Sequence, residues 1–358
     1  MHGEVSAQKS LHKINRGERL FNRSATEVAS RSSISWSRLP TLVQGCIRSI
    51  GLFVPSKVKI ANAPSWAVPA RRRFGRPPFV PQERSDMLQF KTRLLVADVD
   101  GTLVTQEKIL TERCVAAVQE LHAADVLFAV TSGRPPRGMS MLIEPLKLST
   151  PIAAFNGGLI VEPDMTVIEQ KVVPEPLVGP TVALMESFGL TTWIYQGADW
   201  YVRDLTGPHV EHEATTVQFQ PTLIETFAGF GDGVVKIVGV SDDVGAIGRA
   251  TQAARERFGD QVTAAQSQPY YLDVTHPEAN KGTVVKFLSA RFGIPISQIA
   301  TIGDMPNDVL MFAHSGLSIA MGNASTDVQR AARTVTTTNQ DEGFANAVQR
   351  FILPKQGR

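Results

Sequence analysis

From Met87 onward the chain alternates short apolar runs with stretches of helical period. Leu94 to Ala97, Val126 to Val130, Ile152 to Phe155, Ile299 to Ile302 and Leu317 to Met321 have the length and branching of buried parallel strands. Between them, Thr111 to Ala124, Lys281 to about Phe292, Val309 to His314 and Ser325 to Ala332 read as helices, with Thr111 placed to cap the first. Leu159 to Glu162 reads as a hairpin-like return, and Thr334 to Thr336 with Gly343 to Ile352 as the closing strand and helix. This alternation predicts an α/β fold built on a doubly wound parallel sheet. Between 163 and 274 the texture changes: apolar runs at Thr191 to Tyr195, Trp200 to Arg203 and Val234 to Val240 alternate with helical patterns at Leu177 to Phe188 and Asp243 to Phe258. We read an inserted α/β domain there, flanked by the two parts of the first domain at 87–162 and 275–358. Tyr271 to Thr275 reads as the strand on which the first domain resumes.

Residues 1–86 lack any sustained period and are rich in Ser, Arg and Pro, which predicts a disordered basic extension. Residues 1–90 carry 15 Lys and Arg against 5 Asp and Glu, leaving 21 against 29 for the remainder. The net charge of +2 therefore conceals an acidic body behind a basic arm. Three readings of the arm stand: an organelle transit segment, a contact for nucleic acid or anionic membrane through Arg71, Arg72 and Arg73, or an upstream extension of a frame that starts at Met87. The expected compartment is the cytoplasm, or an organelle under the first reading. The acidic body argues against a nucleic-acid partner. No membrane partner is expected, because the longest candidate span, Leu39 to Ile60, is broken by Gln44, Arg48, Pro55, Lys57 and Lys59. Two cysteines, Cys46 and Cys114, supply neither a disulfide framework nor a thiolate metal site.

Candidate chemistry gathers at the ends of the strands, where open α/β sheets keep their sites. Five polar turns fall there or at helix starts: DVDGT (98–102), TSGR (131–134), NGG (156–158), NKG (280–282) and GDMPND (303–308). Asp98 and Asp100 are two apart on a strand end and can point the same way, an arrangement costly unless a cation or a proton neutralises it. The alternative is a plain Asp-Gly turn with solvated acids. With Asp304 and Asp308 these form a hard oxygen set that suits Mg²⁺, while Lys281 and Thr131 offer a cation and a hydroxyl for phosphate oxygens. Asn156 reads either as a turn residue or as a site residue. His209 and His212, three apart in HVEH, lack a third ligand at convincing spacing and read as a solvated or substrate-facing pair.

On these motifs the stretch from about 90 to 353 resembles the haloacid dehalogenase superfamily of phosphatases, in particular the Cof-like subclass IIB. DVDGT, Thr131 in TSGR, Lys281 in NKG, and GDMPND occur in the family's order. The resemblance implies a Rossmann-like core and, because 150 residues separate Thr131 from Lys281, a type-two cap domain. It implies Asp98 as nucleophile, Asp100 as general acid and base, and Thr131 and Lys281 as phosphoryl ligands. Asp98, the main-chain carbonyl of Asp100, and Asp304 would ligate Mg²⁺, with Asp308 positioning Lys281 and Asn307 close to the metal or phosphate. Asn156, Gly157 and Arg134 would lie near the substrate; Trp200, Tyr201, Arg203, His209 and His212 are the cap candidates for specificity. The implied activity is hydrolysis of a small phosphorylated metabolite, a sugar phosphate or phosphorylated cofactor, through an aspartyl-phosphate. A phosphomutase and a non-catalytic binding protein on the same fold are the alternatives. Met305 stands where many relatives carry Gly.

Overall fold

The structure is a computed structural model that describes residues 91–353; the expectations for residues 1–86, including Cys46 and the Leu39 to Ile60 run, fall outside that range. β1 (Leu94–Asp98), β2 (Leu127–Thr131) and β3 (Ile152–Ala154) run parallel, and β4 (Leu159–Val161) and β5 (Val167–Gln170) fold back antiparallel at one edge. The chain then builds a second sheet from β6 (Thr191–Gln196), β7 (Asp199–Val202), β8 (Thr222–Leu223), β9 (Val234–Val240), β10 (Thr263–Gln268) and β11 (Tyr271–Thr275). It returns to the first sheet with β12 (Ile299–Gly303), β13 (Leu317–Ala320) and β14 (Thr334–Val335). The orders are β14-β13-β12-β1-β2-β3-β4-β5 and β10-β11-β9-β6-β7-β8.

β1 lies inside the first sheet because its residues are apolar on both faces. Leu95 and Ala97 join one cluster with α1 (Glu112–Ala123), and Leu94 and Val96 join another with the helix that follows β11. Each of these Leu and Val side chains contributes about 1.5–3 kcal/mol by leaving water, and Ala97 less. Thr111 caps α1 by accepting from the Cys114 N–H at 3.2 Å, as its position in the sequence predicts. The β1 to β2 register sets Asp98 directly beside Thr131.

Two elements depart from the sequence reading. Tyr271 to Thr275 is an inner strand of the second sheet, paired with β9 and with β10, and not the first strand of the resumed core. Its partner β10 reads TAAQSQ and has no apolar run to announce it. β5, within the stretch assigned to the insertion, pairs with β4 at the edge of the first sheet; its VIEQ pattern is half exposed and carries little signal. The first sheet is accordingly mainly parallel with an antiparallel margin.

The second sheet is layered on one side by α2 (Glu175–Ser187) and, after α3 (Val210–Val217), by α4 (Val244–Phe258), which bury Ile194, Ile237, Leu272 and Val274. Strand alternation sends Trp193, Tyr195, Trp200, Val238 and Tyr271 to the opposite face, where they meet α3 and the first domain in one cluster. Phe155 and Tyr195, ring centroids 5.1 Å apart, join the end of β3 to this inner face. Among the described residues no helix is long and apolar enough to cross a membrane.

Candidate active site

The helix α5 (Lys281–Phe292) starts where it does because Asn280 caps it, accepting from the Thr283 N–H at 3.1 Å. That start delivers Lys281, 1 % exposed, beneath the end of β1. Its ammonium donates to Asp98 Oδ1 at 2.5 Å and to Asp308 Oδ1 at 2.6 Å. Asp308 is fully buried, and its second oxygen accepts from the N–H groups of Asp304 and Met305 at 2.9 and 2.8 Å. Gly303 is needed for this arrangement, since a Cβ there would lie 2.3 Å from the Asp308 carboxyl carbon. Asp304 accepts from the Thr102 hydroxyl at 3.3 Å and from the Asn323 amide at 3.2 Å. Gly101, at φ +80°, lets the β1 turn close over it; a Cβ would come within 2.4 Å of Asp304 Oδ2.

Carboxylate oxygens of Asp98, Asp304 and Asp308 lie within 4.8 Å of one another. Lys281 bonds two of these carboxylates and not Asp304, so with all three ionised the buried space would carry two negative charges in excess, the deficit a divalent cation would fill. The proton affinities report the same crowding. Burial, with Asp308 and Asp304 nearby, pushes the Asp98 carboxyl well above the usual range against the pull of Lys281. Burial and Asp308 raise Asp304 to about 6. Burial disfavours the Lys281 ammonium, but the charges of Asp308 and Asp98 outweigh it and raise its affinity for the proton.

These shifts give the metal-free chain a definite pH dependence. In the folded state Asp98 and Asp304 retain protons that the unfolded chain releases near pH 4. The stability that Asp304 contributes is complete below that pH and is lost as pH rises through about 6, and the raised Asp98 carboxyl adds a loss of the same sign. In chelator the melting temperature should fall on the order of 5 °C between about pH 4.5 and 7, and excess Mg²⁺ should flatten the decline. A melting temperature that climbs across that window in chelator would contradict the assignment.

Thr131 is buried beside Asp98, and its hydroxyl has no hydrogen-bond partner among the described residues; the same holds for Asn307 Oδ1. Asn307 donates through Nδ2 to Asn156 Oδ1 at 3.1 Å. Asn156 and the bulky Phe155 both adopt positive φ, 58° and 51°. Such strain persists only where neighbours enforce it: the Phe155 N–H donates to the Arg134 carbonyl and the Asn156 N–H to that of Ser132. Gly157 packs against Val284 and the Asn280 carbonyl so closely that a Cβ would reach within 2.7 Å of Val284. The TSGR, NGG, NKG and GDMPND turns are therefore in mutual contact.

Asp100 faces a different set. Arg134 grips both of its oxygens at 2.7 Å and Lys108 donates to Oδ1 at 2.6 Å. Burial would raise the Asp100 carboxyl, but Arg134 and then Lys108 outweigh it and hold it at about 2.

The cap candidates divide by strand parity. Trp200 is on the inner face, buried and stacked on Tyr195. Tyr201 and Arg203 point the other way: Tyr201 packs on Phe230, and Arg203 pairs with Glu186 of α2 and lies over Phe227. Alternation along β7, continued into Arg203 just past its end, keeps these two from the inner face. His209 stacks on Tyr270 at 4.0 Å and meets Asp242 at 2.8 Å, while His212 lies 6.5 Å from it ring to ring. In their place the inner face presents Lys236 paired with Asp273 at 2.7 Å, and Glu213 accepting from the Tyr195 hydroxyl at 3.1 Å. Sequence reasoning passed over these and also Thr102, Lys108 and Asn323. Asn323 follows β13 in a Gly-Asn turn at a strand end and was findable by that signal; nothing in the sequence marks Lys108.

The family model for the haloacid dehalogenase-like hydrolases matches residues 95–348. The chain belongs to that family. The 5-amino-6-(5-phospho-D-ribitylamino)uracil phosphatase YitU of Bacillus subtilis is 24% identical over 270 residues, covering 74% of this chain and 99% of YitU. A solved haloacid dehalogenase-like hydrolase from Bacteroides thetaiotaomicron aligns with TM-score 0.68 and 26% identity, covering 73% of this chain and 99% of that one. The subclass IIB sugar phosphatase BT4131 shares the fold with TM-score 0.64 at 20% identity, covering 73% and 99%. The chain is a haloacid dehalogenase-like phosphoric monoester hydrolase with the Cof-like core sheet and a second mixed sheet as its cap.

Proposed function

We propose that this phosphatase hydrolyses a small phosphorylated metabolite by passing the phosphoryl group first to Asp98 and then to water. The observation that carries the reading is the trio at the end of β1: the buried Asp98 carboxylate, the Lys281 ammonium upon it, and the adjacent Thr131 hydroxyl, which has no partner among the described residues. Thr131 and Lys281 hold the phosphoryl oxygens and balance the charge that develops on them. Asp98 attacks phosphorus, the bond to the leaving alcohol breaks, and the alcohol oxygen takes a proton from Asp100. Water then attacks the same phosphorus, the bond to Asp98 breaks, and Asp100 takes back one proton from the water. Asp100 is held as a carboxylate before substrate arrives, the form the second half needs; the phosphoryl group beside it raises its proton affinity, so that it takes a proton from solvent or from a monoprotonated ester and holds it for the first half.

Mg²⁺ is the cation we assign. Asp98 and Asp304, with the main-chain carbonyl of Asp100, would hold it; Asp308 is committed to Lys281 and to two N–H groups. Bound there, it would supply the positive charge that the carboxylates and the phosphoryl group require. Relatives named for ribitylamino-uracil and sugar phosphates support a polyol or sugar phosphate as substrate. The polar inner face of the cap, with Lys236, Asp273 and Glu213 among aromatic rings, suits such a leaving group.

Phosphate release from a panel of sugar, polyol and cofactor phosphates, with Mg²⁺ and with chelator, tests the reading. Release that depends on Mg²⁺ is expected for at least one alkyl phosphate. Transfer between sugar hydroxyls without phosphate loss would establish a mutase instead, and no reaction with any compound would leave a binding protein.

A further inference from the structure

We propose that Arg134, assisted by Lys108, is a positioning residue that fixes Asp100 for proton transfer and is not a ligand of the substrate. The inference rests on the phosphoryl-transfer reading above. The Arg134 side chain is 4 % exposed, a position where an unpaired guanidinium would cost several kcal/mol. Its fork closes on one carboxylate, Nε to Asp100 Oδ2 and Nη2 to Oδ1, a geometry that a single lysine ammonium does not reproduce. The third nitrogen, Nη1, donates to the Gly138 carbonyl at 3.1 Å, so the guanidinium is anchored on the side away from Asp100 as well. The Arg134 main chain is tied to the strained turn after β3 through the Phe155 N–H. The segment containing Gly138 is itself seated on the cap: a Cβ at Gly138 would lie 3.1 Å from Val217 of α3, and Arg137 pairs with Asp199 at 3.1 Å.

Lone-pair accounting identifies the working oxygen. Asp100 Oδ1 accepts from both Arg134 and Lys108, which fills its two acceptor positions. Among the described residues Oδ2 accepts from Arg134 alone and keeps one position open. That position gives the proton to the leaving oxygen and then takes one back from the attacking water. Lys108 reaches Oδ1 from the loop after β1 at φ 64°, held in a tight turn by Thr105.

The test uses the leaving group. kcat/KM reports the steps up to departure of the alcohol, and nitrophenolate departs without a proton whereas an alkoxide does not. Wild type, Arg134→Lys and Lys108→Ala would be compared on p-nitrophenyl phosphate and on the alkyl phosphate turned over best in the panel. Arg134→Lys should lose on the order of 100-fold with the alkyl ester, the low end of general-acid catalysis, and at least tenfold less with the nitrophenyl ester. Lys108→Ala, at a side chain 39 % exposed and safe for folding, should show the same selectivity at smaller size. Equal losses with both esters would make Arg134 a phosphate ligand and overturn the proposal, as would no loss in either variant. Asp98→Asn in the same assay keeps the two levels apart: activity retained there would remove the underlying reaction, whatever Arg134 does.

Discussion

Asp98→Asn is expected to lower phosphate release by on the order of 10⁴-fold or more, because the amide has no nucleophilic oxygen and no other carboxylate stands at that place on β1. The same substitution should leave the fold intact. The amide keeps the shape of the carboxylate and an oxygen for the Lys281 ammonium, and it spares a buried, crowded acidic cluster the cost of ionising Asp98. Melting in chelator should therefore be unchanged or higher than wild type. Phosphate release at a tenth of the wild-type rate would exclude Asp98 as nucleophile. A large fall in melting temperature would show that the carboxylate serves the fold.

Lys281→Met should do the reverse to stability. It takes the cation from between Asp98 and Asp308 and leaves two buried carboxylates facing one another. Removing one partner from a buried ion pair costs about 3–5 kcal/mol, a fall in melting temperature of roughly 10 °C for a chain of this size. Activity should be lost with it, since the phosphoryl oxygens lose their ammonium. Because the orphaned carboxylates can take up protons, the variant should recover part of its stability as pH falls toward 5. Asp308→Asn added to it should restore more, the two sites being in contact and far from additive. Calorimetry of the single and double variants in chelator decides the matter: if Lys281→Met melts within 2 °C of wild type, approximately the scatter of a surface substitution, the buried triad carries no structural energy.

The two experiments separate groups that the sequence presents alike. DVDGT, TSGR, NKG and GDMPND are all short polar turns at strand or helix ends, and each was legible because an apolar run stops abruptly against it. The strands that carry them are found where they were expected, since a run buried on both faces has no competing use. Edges were less legible. β5 and β10 bury little, their residues alternate weakly, and they pair only because a neighbouring strand offers free N–H and C=O groups. The placement of Tyr271 to Thr275 failed for a different reason: it is buried throughout, as a core strand would be, while its hairpin partner β10 has no apolar run to announce it and its other partner, β9, lies beyond α4 in the chain.

Parity explains the cap. Trp200, Tyr201 and Arg203 looked equivalent as a cluster of large side chains, yet a strand sends neighbours to opposite faces, and only the covering helices reveal which face is the inner one. Lys236, Asp273 and Glu213 come from β9, β11 and α3, with no local signal to join them.

By itself the sequence determined the strand-helix alternation, the five polar turns and the carboxylate, cation and hydroxyl chemistry at the strand ends, because period and strand-end position are local properties of a chain. Only the tertiary structure decided that Asp100 faces Arg134 and Lys108 while Asp98 faces Lys281. Two residues apart on one turn, the carboxylates have the same local signature. Charges brought from 34 and 183 residues away, through Arg134 and Lys281, make one an ionised group held in a fork and the other the centre of a buried, electron-rich cluster.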